Sequence, residues 1–344
     1  MTDEIVITRP DDFHLHFRDG ALLAPVVARS AHFARGIVMP NLVPPVATAD
    51  AVAAYRARIE AAMPEGMVFE PLMTLYLTDA TTPEEIDRAA GVCTAVKLYP
   101  AHATTNSAAG VTDVLALVPT LERMAERGLL LLIHGEVTDH EVDVFDREAV
   151  FIERILDPLR RRVPQLRIVL EHVSSRTGID YVLCAEDNLA ATITAHHLAV
   201  DRNALLAGGL RPHNYCLPIL KRSEDRAALV AAATSGDGRV FFGSDSAPHT
   251  DPRKLAPCGA AGCFTSPVAL AIMAHVFEEA GALHRLDDFV STFGARWYGL
   301  PRNEGTLTLE RCEPYALPPV ETPDGPIAVF DPGFPLAWRV REAH

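Results

Sequence analysis

Eight short apolar runs, each followed by a stretch of helical character, constrain the fold of this 344-residue chain more than any other feature. The runs are Phe13–Leu15, Gly36–Met39, Phe69–Leu77, Ala95–Leu98, Leu129–Ile133, Ile168–Leu170, Ala191–Thr194 and Val240–Phe242. Continuous apolar runs of this length suit strands buried on both faces, as in a parallel sheet. Between them lie candidate helices at Ala49–Ala62, Pro83–Ala90, Thr112–Arg127, Phe145–Arg161 and Ser223–Thr234. In the third of these, Val114, Leu117, Val118, Leu121, Met124 and Ala125 recur at three- and four-residue spacing. Thr112 is its candidate N-cap, Gly128 its stop, and Pro119 predicts a kink or break. Eight strand–helix alternations favour a closed (β/α)8 TIM barrel, with an open doubly wound sheet as the alternative that periodicity alone does not remove. Such a barrel takes about 250 residues or more as one unit. The expectation is therefore one domain over 1–344, with the barrel at about 5–280. The Pro-rich extension 281–344 is expected to wrap the barrel or form a small hairpin.

Charge narrows the partners. A formal net charge of −14 argues against nucleic acid and anionic membrane surfaces, where a basic face supplies the affinity. A small anionic ligand stays compatible, because one pocket can be positive on an acidic protein. The first ten residues are polar and no apolar run reaches bilayer length, so neither a secretory leader nor a membrane span is expected. Six cysteines in a chain this long make no disulfide framework, and Cys258 and Cys263 lack a second pair for a thiolate metal site. A cytoplasmic protein with reduced thiols is the natural reading. Only three of the 31 basic residues are lysines: Lys97, Lys221 and Lys254.

His14-Leu15-His16 lies on the first run, and alternate strand residues point the same way, so both imidazoles share a side. Fourteen histidines in 344 residues make a His-x-His pair unremarkable by itself, and a buried hydrogen-bonded pair is the plain alternative. The other candidates change the weighting. Lys97 ends the fourth run, His134 follows Ile133, His172 follows Glu171, and Asp245 follows Ser244. Each falls at the C-terminal end of an expected strand, the face on which barrel enzymes build their sites. Five strands placing ligand-type side chains there point to a metal centre. Lys97 is explained either as an ion pair with Asp245 or as a ligand. A buried lysine loses its charge readily, and its neutral amine can add carbon dioxide to give a bridging carbamate.

Several motifs together resemble the amidohydrolase superfamily: residues 14–20 (His-Leu-His-Phe-Arg-Asp-Gly), 39–41 (Met-Pro-Asn), 96–100 (Val-Lys-Leu-Tyr-Pro), 134–136 (His-Gly-Glu) and 243–249 (Gly-Ser-Asp-Ser-Ala-Pro-His). Within it the match is to the short-chain, class II dihydroorotases, supported by residues 103–107, 211–222 and 258–264, and it spans about residues 5–300. The resemblance implies two zinc ions bridged by carboxylated Lys97 and a hydroxide. His14, His16 and Asp245 would hold the buried ion, and His134 and His172 the other. It implies Asp245 as the proton shuttle to the leaving ring nitrogen of dihydroorotate, or in reverse for carbamoyl aspartate. Arg18, Asn41 and His249 would clamp the substrate carboxylate, a role suited to the planar arginine fork. Backbone groups of Leu217 and Ala261 would meet the ring, and Thr104 and Thr105 would sit in a mobile lid at 101–110. A homodimer is also implied. His196, His197 and His213 read as structural or supporting residues. Two alternatives share the metal site or the fold: another cyclic amidase of the hydantoinase or allantoinase kind, and a catalytically inactive scaffold. The His-x-His pair at residue 14 leaves little room for the second β-domain of the first, and the retained ligand residues weigh against the second.

Overall fold

The computed structural model describes residues 3–185 and 188–341, so the ends of the expected 1–344 domain and the last three residues of the expected wrap lie outside the described residues. All eight apolar runs are strands of one parallel sheet: β2 (Asp11–Leu15), β3 (Arg35–Val38), β4 (Glu70–Tyr76), β5 (Ala95–Leu98), β6 (Leu130–His134), β7 (Ile168–Glu171), β8 (Leu189–Ile193) and β9 (Val240–Phe242). They pair in sequence order from β2 to β9. Just beyond β9 the chain returns to β2: Asp245 N donates to His14 O at 2.8 Å, and His16 N donates to Ser246 O at 3.0 Å. These bonds bring the two ends of the sheet together as a nearly closed TIM barrel. They also set His14, His16 and Asp245 side by side.

The helices follow the sequence pattern, with instructive differences. Ala49–Ala62 is a helix capped by the Thr48 hydroxyl, which accepts from Ala51 N. The segment expected at Thr112–Arg127 divides into a 3-10 turn, Val114–Leu117, and a helix, Val118–Arg127. The break falls where Pro119 predicts one, because a proline fits the first helical turn and not the interior. Asp113 caps the turn in place of Thr112, whose hydroxyl instead donates to Asp79. Gly128 closes the helix in the left-handed conformation, φ 69°.

The C-terminal extension holds more than a hairpin. Helix Phe293–Tyr298 plugs the bottom of the barrel, where Phe13 stacks on Tyr298 at 4.9 Å and meets Phe241 edge-on at 5.3 Å. A Cβ at Gly294 would overlap the Phe13 ring, so glycine permits this close approach. Farther on, β10 (Thr306–Tyr315) pairs antiparallel with β11 (Leu336–Val340) on one side and with an N-terminal strand, β1 (Glu4–Thr8), on the other. This small sheet ties the two ends of the chain together.

His32, in the turn before β3, reports on the packing of this layer. Burial, with Arg9 nearby, lowers its pKa from 6.5 to about 4. The unfolded chain then takes up a proton near 6.5 that the folded chain resists until about 4. The associated stability is complete above the upper value and is lost as pH falls toward the lower one. Urea melts at pH about 7.5 and 4.5 should show the wild type losing about 2 kcal/mol more than His32→Gln. Parallel losses in the two proteins would refute the assignment.

Candidate active site at the C-terminal mouth of the barrel

His14, His16, Lys97, His134, His172 and Asp245 meet at the C-terminal end of the barrel, and all six are buried. The backbone there is unusual. Among the described residues only five non-glycines have positive φ: Arg18 (63°), His102 (66°), Asn106 (57°), His172 (42°) and Asp245 (43°). Side chains in this region cost of order 1–3 kcal/mol each and persist where the surroundings dictate the geometry. Three of the five are expected site residues, and the other two lie in the expected lid.

The donor atoms converge. His14 Nε2 and His16 Nε2 are 3.3 Å apart, and Asp245 Oδ1 lies 3.2 and 3.0 Å from them. Tetrahedral nitrogen and oxygen ligands about 2.1 Å from a zinc ion would stand about 3.4 Å from one another, close to this triangle. His172 belongs to the same cluster with His14 and Asp245, and its Nδ1 is buried without a hydrogen-bond partner. Lone pairs this close, with a buried orphan beside them, fit a metal ion. Burial opposes ionisation of Asp245, but His14 and His16 hold its carboxyl well below the usual range. Burial likewise opposes a charge on His14, yet Glu171 and Asp245 raise it to about 9. Burial depresses the Lys97 ammonium against the pull of Glu171.

Three carboxylates that the sequence reading left without a role support this cluster. Glu171 is the ion-pair partner of Lys97, in place of the Asp245 pairing considered above, and its Oε1 lies 3.2 Å from His14 Nδ1. Glu136 Oε2 accepts from His134 Nε2 at 3.0 Å, which fixes the ring. Asp12 Oδ1 accepts from His14 N at 3.1 Å and Ser244 N at 2.8 Å, joining the first and last barrel strands. The one signal available for Glu171 is a charged residue ending an otherwise apolar run. A second cluster, His196, His197 and Cys216, also has metal-type donors. Both ring nitrogens of His197 are engaged, Nδ1 with Thr194 Oγ1 at 2.9 Å and Nε2 with Pro218 O at 3.0 Å, so the structural reading holds for it. His213 is on the surface side of this region, 3.8 Å from Asp251.

On the outer side stand the expected substrate residues. Arg18 is buried and donates to Pro248 O (3.1 Å); its Nη2 also lies 2.9 Å from His249 Nε2, which is 3.0 Å from Ala261 O, and Arg18 has no carboxylate partner among the described residues. Asn41 Oδ1 contacts His16 Nδ1 at 2.9 Å, while its Nδ2 donates to Thr105 O at 3.0 Å. Asn106 and Thr105 add bonds to Asn41 O and Ala261 O. The loop thus lies closed over the donor cluster. Thr104, Thr105, Leu217 and Ala261 all line the enclosed cavity, whose volume is about 20 Å³.

The fold and the ligand cluster define the class. A family model described as the amidohydrolase family matches residues 8–310, and the chain belongs to that family. Within it the chain stands with the dihydroorotases. It is 59% identical to the dihydroorotase of Ruegeria pomeroyi, over 99% of each chain. Its structure is similar to dihydroorotase from Campylobacter jejuni (TM-score 0.91, 36% identity, 99% of both chains). It is similar also to Saccharomyces cerevisiae dihydroorotase in complex with 5-fluoroorotic acid (TM-score 0.90, 35% identity, 99% of both chains).

Proposed function

We propose that the chain hydrolyses the cyclic amide of dihydroorotate to N-carbamoyl-L-aspartate and catalyses the reverse cyclisation, the third step of de novo pyrimidine synthesis. The observation that carries this reading is a single cavity where a convergent His/Asp donor set faces an arginine without a carboxylate partner. Whole-length similarity to dihydroorotases supports it. The residues that would hold the proposed resident metals, two zinc ions, are His14, His16, Asp245, His134, His172 and a carboxylated Lys97. Bound there, the ions supply Lewis acidity for a carbonyl and a water of lowered pKa.

The remaining work falls to the protein. Arg18, Asn41 and His249 hold the ring carboxylate, Asn41 from its place between His16 and the lid. Backbone groups of Leu217 and Ala261 orient the ring. Asp245 receives the proton of the attacking water and delivers it to the leaving ring nitrogen, a transfer that needs one carboxylate within reach of both. Thr104 and Thr105 cover the bound substrate and exclude bulk water. We place the enzyme in the cytoplasm as a homodimer acting on small molecules only. Among the described residues no helix is long and apolar enough to cross a membrane.

The test is turnover of dihydroorotate and of carbamoyl aspartate by zinc- and bicarbonate-loaded protein, with hydantoin and allantoin as controls. Activity in both directions, confined to the dihydroorotate pair, is expected. Opening of another ring instead would transfer the substrate assignment to that ring. A metal-loaded protein inert on all four compounds would leave the scaffold reading in its place.

A further inference from the structure

Outside the closed lid the inner cavity gives way to a cleft of about 470 Å³, which shares Arg18 and Thr105 with it and adds His249, Arg253, Asp19 and Asp324. The charges in this cleft do not cancel. Asp19 is engaged by Arg58 at 2.9 Å. Among the described residues the Arg18 side chain has only two polar contacts, with a carbonyl and a neutral ring, and none with a carboxylate. Arg253 is exposed on the short helix Asp251–Lys254, and its guanidinium has no hydrogen bond or ion pair among the described residues. It lies near enough to add to the lowering of the Arg18 pKa, which burial dominates. Two guanidiniums facing one cleft repel each other unless an anion lies between them. Among the described residues only Asp324 offers an unpaired counter-charge on the cleft wall. In a chain of net charge −14, such a patch is a local exception that draws anions.

We propose that Arg253, with Arg18, makes this outer cleft a staging site for dicarboxylates, so that Arg253 is a positioning residue selective for the open-chain reactant. The proposal rests on the functional reading above, in which the two reactants differ in charge. Carbamoyl aspartate carries two carboxylates and dihydroorotate one. The free energy of an ion in a potential scales with its charge, so loss of one cation weakens dianion binding by about the square of its effect on a monoanion. The equilibrium constant between the reactants does not depend on the enzyme, so kcat/KM must fall by one common factor in the two directions. The selectivity therefore appears as a split between KM and kcat.

The experiment measures both directions for wild type, Arg253→Gln and Arg253→Lys at low ionic strength and again near 0.5 M salt, where the Debye length is about 4 Å. For Arg253→Gln at low salt, KM for carbamoyl aspartate should rise about tenfold and KM for dihydroorotate about threefold. kcat for cyclisation should not fall. Arg253→Lys should restore most of the difference, and high salt should erase it. Equal KM shifts for the two reactants, no shift at all, or a failure of lysine to restore the difference would overturn the role of Arg253. Wild-type protein that turns over neither reactant would instead overturn the functional reading itself, before any variant is compared.

Discussion

Lys97→Met is expected to bind at most one metal ion per chain and to lose turnover by about three orders of magnitude or more. Two roles for this lysine make different forecasts. As the structural partner of Glu171, Lys97 could be lost with the donor cluster intact, and the penalty would be a buried carboxylate left with His14 alone, costing about 3–5 kcal/mol of stability. As a carboxylated ligand, it would carry metal content and rate away together. Lys97→Arg sharpens the contrast, since it keeps a cation for Glu171 but cannot become a neutral amine. Metal analysis, urea melts and carbon NMR after exposure to labelled bicarbonate measure the three consequences separately. The wild type should show one labelled carbamate that is absent from both variants. A wild type that binds two metals without taking up label would sink the carboxylation. A Lys97→Arg protein with full metal content and normal rate would sink the ligand role altogether.

Why Glu171 escaped a reading that found Lys97 is a matter of barrel geometry. The inward side chains of a closed barrel form layers contributed by alternate strands. Lys97 on β5 therefore meets Glu171 on β7, two strands away, and no local spacing encodes that meeting. The eight strands themselves were legible because each is buried on both faces and reads as a continuous apolar run. Strand β1 was not. Glu4–Thr8 is short and half exposed, and its partner β10 begins 298 positions beyond its last residue, at Thr306. Periodicity reports which face of a segment is buried, not which distant segment covers it. The same limit explains Asn41. Its residue type is compatible with a substrate clamp, but only the folded chain places its amide between His16 and the backbone of Thr105. The proposed metal ligands stood out for the opposite reason: ligand-type residues gather at the ends of five apolar runs, the face on which a barrel builds its site.

Asp245→Asn should lower kcat/KM by the same factor in hydrolysis and cyclisation, about 10³-fold or more. The substitution is nearly isosteric, and the side-chain oxygen that stands 3.0 Å from His16 Nε2 is retained. The positive φ of 43° also favours asparagine at this position as much as aspartate, so the fold has little reason to object. What is lost is a group that can take up a proton and release it. General acid–base transfer is worth about 10²–10⁴-fold, and loss of anionic charge beside the donors adds to that by weakening one metal site. Metal content measured on the same samples apportions the two contributions. Full occupancy with a 10³-fold loss assigns the effect to proton transfer, whereas partial occupancy with rates that recover as zinc is added assigns it to ligation. An Asp245→Asn variant within tenfold of wild type at full occupancy would exclude Asp245 as the shuttle. Glu136 and Glu171 would not inherit the task, because each is already committed to a histidine or lysine on the far side of the ligands. A different proton path, one not built from the buried carboxylates of this barrel, would then be required.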